Sequence, residues 1–315
     1  MIKDGSTIKI KVMQMTEVFQ YPIPDGFLEA EERDGYFVSA KMKHVWAIEL
    51  DILKSFIEVC DKYKLTYWIG DGTLLGAVRH KGFIPWDNDV DVYMPRKSFD
   101  RLLEIGSEAF KEPLFFQTPV TEKSRFFSTW VKIRNTYSTG ASREEFEKGI
   151  NCGIFIDVFC LDELPNNKLV KKLYIRKLAE ISKMNRYCFG TIEDRHFADR
   201  IKHGFQKMVY KYVYHEPDAA ELFRIYQKEA GRYAGKNKKE IALINCFPRW
   251  AFNRNDWKTT TILDFEDLQL KAPGGYDAIL KKVYGDYMVF PEDKSTHDYI
   301  EFAPDVPYKE YFNKK

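Results

Sequence analysis

Three aspartates spaced two apart, Asp87, Asp89 and Asp91, sit among apolar residues in the stretch Phe83-Ile-Pro-Trp-Asp-Asn-Asp-Val-Asp-Val-Tyr93. If Asp89 to Val92 is a strand, its period of two turns Asp89 and Asp91 to one face and sends Val90 and Val92 into the core. Asp87 then stands at the strand entrance on the same side, and Asn88 points the other way. Carboxylates this close raise one another's pKa, so a cluster that stays ionised calls for a cation, and hard oxygen ligands suit Mg²⁺ or Mn²⁺. An acidic surface turn would not need the Val-Asp-Val alternation. A calcium loop of the EF-hand type is excluded by Val92 at its sixth position, where Gly is required, and by Ser98 at its twelfth, where Glu should chelate.

Upstream, Tyr67-Trp-Ile-Gly70 reads as a short strand and Thr73 to Arg79 as a helix, which puts Gly72 and Thr73 in a strand-to-helix turn. Outward N–H groups at the positive end of a helix suit a phosphate. Asp71 adds a negative charge beside that turn, as a further metal contact or a helix cap. Arg79, at the other end of the helix, is a candidate phosphate contact. Lys132 and Arg134 share one face of a strand, where they either neutralise a diphosphate or form an exposed cationic face. Asp157 is the single acid in the apolar run Ile154-Phe-Ile-Asp-Val-Phe-Cys160. Its burial needs a partner, which is a metal edge or a nearby Lys or Arg. Asp162 reads equally as a site residue or as part of a strand exit. Asp286 and His297 are weaker candidates, and Trp86 is one of several aromatics (Trp68, Phe83, Tyr93 and Phe155 are the others) close to these motifs.

The elements that must position these residues follow from periodicity. Val45, Ile48, Ile52, Phe56 and Val59 recur at helical spacing, predicting an amphipathic helix from Val45 to Tyr63 that leads into the Trp68 strand. A helix from Pro95 to Ala109 follows the aspartates, with strands near Leu114 to Gln117, Phe127 to Arg134 and Ile154 to Phe159. Strands alternating with helices predict an α/β (α+β) fold with a small mixed sheet and a helical C-terminal region. Lys9 to Val12 alternates like an edge strand, and Tyr21-Pro-Ile-Pro-Asp-Gly26 is a breaker-rich linker. The expected organisation is an arm over 1–40, a catalytic core over 41–164, a basic helical insertion over 165–240, and a segment over 241–315 packing on the core as one compact unit.

The chain has 315 residues, 44% apolar and 30% charged, ordinary proportions for a globular protein. No run approaches the roughly 18 to 20 apolar residues that span a bilayer, and the start Met1-Ile-Lys-Asp-Gly lacks the apolar core of a signal peptide. A cytoplasmic protein is expected. Its five cysteines show no C-x-x-C spacing and read as reduced core thiols. Between Asn166 and Tyr214, twelve Lys and Arg face four Asp and Glu, a net of +8 in a chain of net +2. Such helices are either a solvated face or a surface for an anionic partner, including the inner leaflet of a membrane. No nucleic-acid-binding signature is present, and no nucleic acid is expected as a partner.

The wording GTLLGAVRHKGFIPWDNDVDV, Gly72 to Val92, resembles the LicD family of phosphocholine transferases, related to the fukutin group, and the order of strand, Gly-Thr turn and Asp-x-Asp strand resembles the nucleotidyltransferase fold. The resemblance continues through Lys132-Ile-Arg134-Asn-Thr136, Gly153 to Phe159 with Leu161 and Asp162, and Tyr284-Gly-Asp-Tyr-Met288 with Pro291. It covers roughly residues 40 to 300, loosely between 165 and 250. Three positions depart from the family pattern: Asn88 where a fourth Asp is common, Asp71 where Gly or another small residue is common, and Tyr93 where a small residue is expected. The resemblance implies transfer of a phospho-alcohol group, foremost phosphocholine from CDP-choline, to a hydroxyl of a glycan or lipid-linked glycan such as lipopolysaccharide or teichoic acid. It implies Asp87, Asp89, Asp91 and Asp157 as metal ligands, the last three of them catalytic, with Asp157 either a ligand or the base that deprotonates the acceptor hydroxyl, and Gly72, Thr73, Arg79, Lys132 and Arg134 on the nucleotide's phosphates. Nothing in the sequence reads the alcohol. A nucleotide-sugar glycosyltransferase using the same Asp-x-Asp site, and a non-catalytic glycan-binding or scaffold member, are the alternatives.

Overall fold

The computed structural model describes residues 18–122, 126–189, 204, 208–209, 211–213, 215, 217–244, 251–292, 294 and 300–313. The strand expected at Lys9 to Val12 lies outside them. A small hairpin, β1 (Glu31–Arg33) and β2 (Tyr36–Val38), leads into the long helix α1 (Ala40–Tyr63). Ser39 caps α1 by accepting from the Met42 N–H, so the helix starts earlier than its apolar stripe alone predicts. That stripe buries Val45, Ile48, Ile52 and Phe56. Then come β3 (Trp68–Ile69), α2 (Asp71–Arg79), β4 (Asp91–Pro95) and α3 (Arg96–Ala109). Strands β5 (Leu114–Gln117), β6 (Val131–Asn135), β7 (Thr139–Ala141) and β8 (Ile154–Leu164) follow.

The apolar run around Asp157 becomes the central strand. β8 pairs in parallel with β4 on one side, and antiparallel with β6 and then β9 (Glu240–Ala242) on the other, with β5 beyond β6, β3 beyond β4 and β10 (Ala251–Asn253) beyond β9. A strand buried on both faces has no use for alternation, which is why its sequence reads as nearly continuous Ile, Phe and Val. The pairing of Asp162 with Ala242 carries β8 past the expected end at Phe159. β6 begins at Val131 rather than Phe127, because the Ser128 hydroxyl folds back on both the N–H and the carbonyl of Trp130. The mixed sheet with flanking helices bears out the α/β expectation.

After β8 the helices α4 (Lys168–Phe189) and α5 (Ala219–Ala230) pack together. They enclose a second core of Tyr174, Leu178, Ile181, Leu222 and Tyr226 under Leu164 and Ala242. The hairpin β11 (Thr260–Phe265) and β12 (Leu268–Pro273) and the helix α6 (Tyr276–Tyr284) join the main core through Phe265, Leu270, Ile279 and Leu280. A last strand, β13 (Glu301–Ala303), pairs with β7. Cys60, Cys152 and Cys160 are buried free thiols, as expected; Cys246 lies outside the described residues. Among the described residues no helix is long and apolar enough to cross a membrane.

Candidate functional site

The site is built where β4 and β8 run side by side. Parallel register sets Asp91 beside Asp157, and antiparallel register sets Lys132 on the far side of Asp157. The strand expected from Asp89 starts only at Asp91, but the Val90 carbonyl accepts from the Asp157 N–H at 2.8 Å, so the extended chain is already held before the ladder begins. The alternation predicted from sequence is present: Asn88, Val90 and Val92 are buried, while Asp87, Asp89 and Asp91 retain contact with solvent.

Three further elements fix this loop. The Trp46 indole of α1 stacks on Phe83 and donates to the Asp87 carbonyl at 3.0 Å. Glu266, at the tip of the β11–β12 hairpin, binds the Arg33 guanidinium and accepts from the Phe83 N–H at 3.0 Å. The start of α2 is docked on β4, with the Asp91 N–H donating to the Thr73 hydroxyl at 2.8 Å and the Gly70 N–H donating to the Asp91 carbonyl at 3.0 Å. Gly70 at the N-cap supplies no side chain to the first turn, so the helix start is left open for an external acceptor. Gly72 lies in close approach to Asp87: a Cβ there would displace the Asp87 carboxylate.

The electrostatics are those of a crowded acid site. Withdrawal from water and the neighbouring Asp89 push Asp87 and Asp91 well above the usual carboxylate range. Burial raises Asp71 to about 6, with Tyr93 opposing and Asp89 reinforcing the shift. Asp71 also has φ +37°, in the region that favours glycine, which accounts physically for the small residue common at this place in the family pattern. Asp157 is raised by burial against the pull of Lys132, whose Nζ lies 2.9 Å from Oδ1 and 3.0 Å from Oδ2. Trp130 Nε1 donates to the same carboxylate at 2.7 Å.

Other sequence candidates are placed elsewhere. Arg134 shares a face with Lys132 over the Phe155 ring, as its spacing predicts, but it is 0% exposed. It donates to Gln117, the Gly140 and Gly153 carbonyls and Glu145, so its donors brace the fold rather than face the carboxylates. Asp162 forms a buried two-point pair with Arg96, at 2.7 Å for each hydrogen bond, and lies five residues along β8 from Asp157. Arg79, about 10 Å along α2 from Gly72, donates to the Tyr287 carbonyl and to His80 Nε2. Its guanidinium lies over Trp86 and Phe290, which also carry the Lys294 ammonium. Asp286 is exposed, and His297 lies outside the described residues.

Two residues that face the cluster were not singled out from the sequence. Glu49 on α1 is 1% exposed, its Oε2 has no hydrogen-bond partner among the described residues, and burial together with Asp89, Asp87 and Asp157 raises it strongly. A signal was present, because Glu49 falls four residues after Val45 on the apolar stripe of α1. Tyr284 closes α6 with its phenol in the field of Asp71, Asp91, Asp87 and Asp89.

Among the described residues no three His, Cys, Asp or Glu side chains already form a cage for a metal ion. The donor chemistry nonetheless fits a hard divalent cation. Asp71, Asp87, Asp89 and Asp91 have no ion-pair partner among the described residues, and a glycine turn with an open helix start stands against Asp87. Asp87, Asp89 and Asp91 would hold the ion, with Asp157 already shared with Lys132.

These features gather a carboxylate cluster and an open helix start on one α/β sheet, and comparison with known proteins specifies the family. Residues 64–200 match the family model described as "LicD/FKTN/FKRP, nucleotidyltransferase domain". The lipopolysaccharide cholinephosphotransferase LicD of Haemophilus influenzae is 30% identical over 265 residues, covering 79% of this chain and 92% of that protein. An uncharacterised protein of Rickettsia prowazekii is 42% identical over 66 residues, covering 21% of this chain and 23% of that protein. Mannosyltransferase regulator 4 of Saccharomyces cerevisiae is 27% identical over 115 residues, 34% of this chain and 9% of that protein. The chain belongs to the LicD family, and it is a LicD-like transferase.

Three outcomes follow from the geometry. A carboxyl raised in the native state holds a proton that the unfolded chain gives up. Its penalty is therefore absent below about pH 4 and grows as pH rises. Asp87→Asn is expected to raise the melting temperature by about 2–4 °C near pH 8 without divalent cations and to show no gain near pH 4. Asp71→Gly, at positive φ, should leave the melting temperature unchanged or higher, where a glycine in an ordinary helical residue's place costs about 1 kcal/mol. Asp162→Ala removes the buried two-point partner of Arg96, leaving it the half-exposed Asp100 and Gln227, and should cost about 3 kcal/mol in urea denaturation.

Proposed function

We propose that this protein transfers phosphocholine from CDP-choline to a hydroxyl of a cell-surface glycan of the lipopolysaccharide kind, releasing CMP, with Mg²⁺ or Mn²⁺ as cofactor. The observation that carries the reading is the likeness to a lipopolysaccharide cholinephosphotransferase over 79% of the chain, together with the intact series Asp87, Asp89, Asp91 and Asp157.

In this reading the acceptor oxygen forms a bond to the choline-bearing phosphorus, the bond from that phosphorus to the bridging oxygen breaks, and CMP departs with the electron pair. The hydroxyl proton passes to a carboxylate. Asp157 is suited to take it, since Lys132 and Trp130 fix both of its oxygens and hold its orientation. A bound divalent cation supplies charge neutralisation on the diphosphate. Asp87, Asp89 and Asp91 hold that ion, while the Gly72 and Thr73 N–H groups at the open start of α2 orient a phosphate. The Thr73 hydroxyl accepts from Asp91 and keeps its own proton to donate. Trp86 and Phe290 already carry cations on their ring faces, a chemistry that also serves a quaternary ammonium.

The test is a product assay on the purified chain with CDP-choline, CDP-ribitol, CDP-glycerol and UDP-glucose, each with and without Mg²⁺. Magnesium-dependent CMP release from CDP-choline, matched by phosphocholine on the glycan, is expected. Asp89→Asn should cut the rate on the order of 100- to 1,000-fold. Release of UDP from UDP-glucose with none from the CDP-alcohols would replace this reading with glycosyl transfer.

A further inference from the structure

The basic helix α4 divides its cations into two sets. Lys171 is paired with Glu240, Lys177 with Glu229 and Lys183 with Glu180. Lys168, Lys172 and Arg176, spaced by four, are exposed and have no carboxylate partner among the described residues. The inward stripe of the helix is Tyr174, Leu178, Ile181 and Met184, all buried in the second core. An ordinary surface helix would be polar on the opposite side. Instead Leu169 is 66% exposed and Leu173 57%, and Leu169, Lys172, Leu173 and Arg176 follow one another at i, i+3, i+4 and i+7 on a single outer face.

Leucines interleaved with unpaired long cations, four residues apart, are the pattern of a helix that lies in a lipid interface: the apolar side chains enter the acyl boundary while the cations reach anionic headgroups. A solvated face gains nothing from two exposed leucines. A nucleic-acid surface would offer aromatic or Arg contacts in place of Leu169 and Leu173. The segment's net charge of +8, in a chain of only +2, supplies the complementarity to a negatively charged leaflet.

We infer that the outer face of α4, formed by Lys168, Leu169, Lys172, Leu173 and Arg176, docks this protein on an anionic lipid surface. The inference stands on exposure, spacing and charge, independently of the donor and acceptor proposed above.

Co-sedimentation of the full-length chain with vesicles tests it without any donor or glycan. Binding is expected to phosphatidylcholine vesicles containing about one-third phosphatidylglycerol, to weaken with salt, and to be near zero on pure phosphatidylcholine. K168Q/K172Q/R176Q should lower the partition coefficient on the order of 100-fold, and L169S/L173S on the order of tenfold or more. Both sets of residues are exposed, so an unchanged melting temperature confirms that the variants fold. No binding to anionic vesicles overturns the inference. So does equal binding to neutral ones, binding that survives both variants, or a preference for a single-stranded RNA competitor that strips the protein from the vesicles.

Discussion

Mutual repulsion among carboxylates drawn away from water is the constraint on which the rest of this molecule turns. Asp71, Asp87, Asp89 and Asp91 converge with Glu49 and Asp157, and among the described residues only Asp157 of this set has an ion-pair partner, Lys132. Left free, such groups would move apart into solvent. They are kept together by backbone, and each backbone tether comes from a different part of the chain. The Asp157 N–H holds Val90, the Trp46 indole holds the Asp87 carbonyl, and the Gly70 N–H holds the Asp91 carbonyl. Because these bonds go to main-chain atoms, they fix where the carboxylates start without drawing on the side-chain oxygens.

That division of labour explains why so much of the fold is recruited to one loop. Helix α1 contributes Trp46, the hairpin β11–β12 reaches over with Glu266 to hold Phe83, and Arg33 from β1 anchors Glu266 in turn. The sheet register then does the rest, since a slip of one residue between β4 and β8 would turn Asp91 or Asp157 to the opposite face. Stability is spent against repulsion here, a cost of the kind met at functional sites.

Periodicity exposed the part of the site carried by local chemistry. The alternation from Asp87 to Val92, the helix start near Gly72 and Thr73, and the lone acid in the β8 run each have a cause within a few residues, and the structure places all of them in one region; the helix begins at Asp71 rather than Thr73, so Gly72 and Thr73 lie in its first turn. Arg134 shows where that reasoning runs out: its spacing put it on the correct face of β6, but the Gln117, Gly140, Gly153 and Glu145 groups that consume its donors come from other elements. Asp162 likewise looked like a neighbour of Asp157 along the strand, and only the packing of α3 reveals Arg96 as its partner. Glu49 was legible in principle, as a charge on the apolar stripe of α1, but the stripe alone does not say what the charge faces. Tyr284 is more than 190 residues from Asp91, so no local pattern links them.

The distribution of charge joins the two ends of the argument. A net of +2 conceals an acid-rich sheet edge and a basic helix, and the two are consecutive in sequence, because β8 carries Asp157 and α4 starts four residues after β8 ends at Leu164. On the readings proposed above, carboxylates that hold a cation would repel an anionic membrane, so attraction to a lipid-borne acceptor would have to come from another surface. The outer face of α4 has the unpaired cations and exposed leucines for that task, while Lys171 and Lys177, turned toward Glu240 and Glu229, hold the helix to the body that carries the site. Losing Lys172 or Arg176 should therefore weaken attachment without loosening the fold, whereas losing Lys171 removes an ion pair that ties α4 to β9.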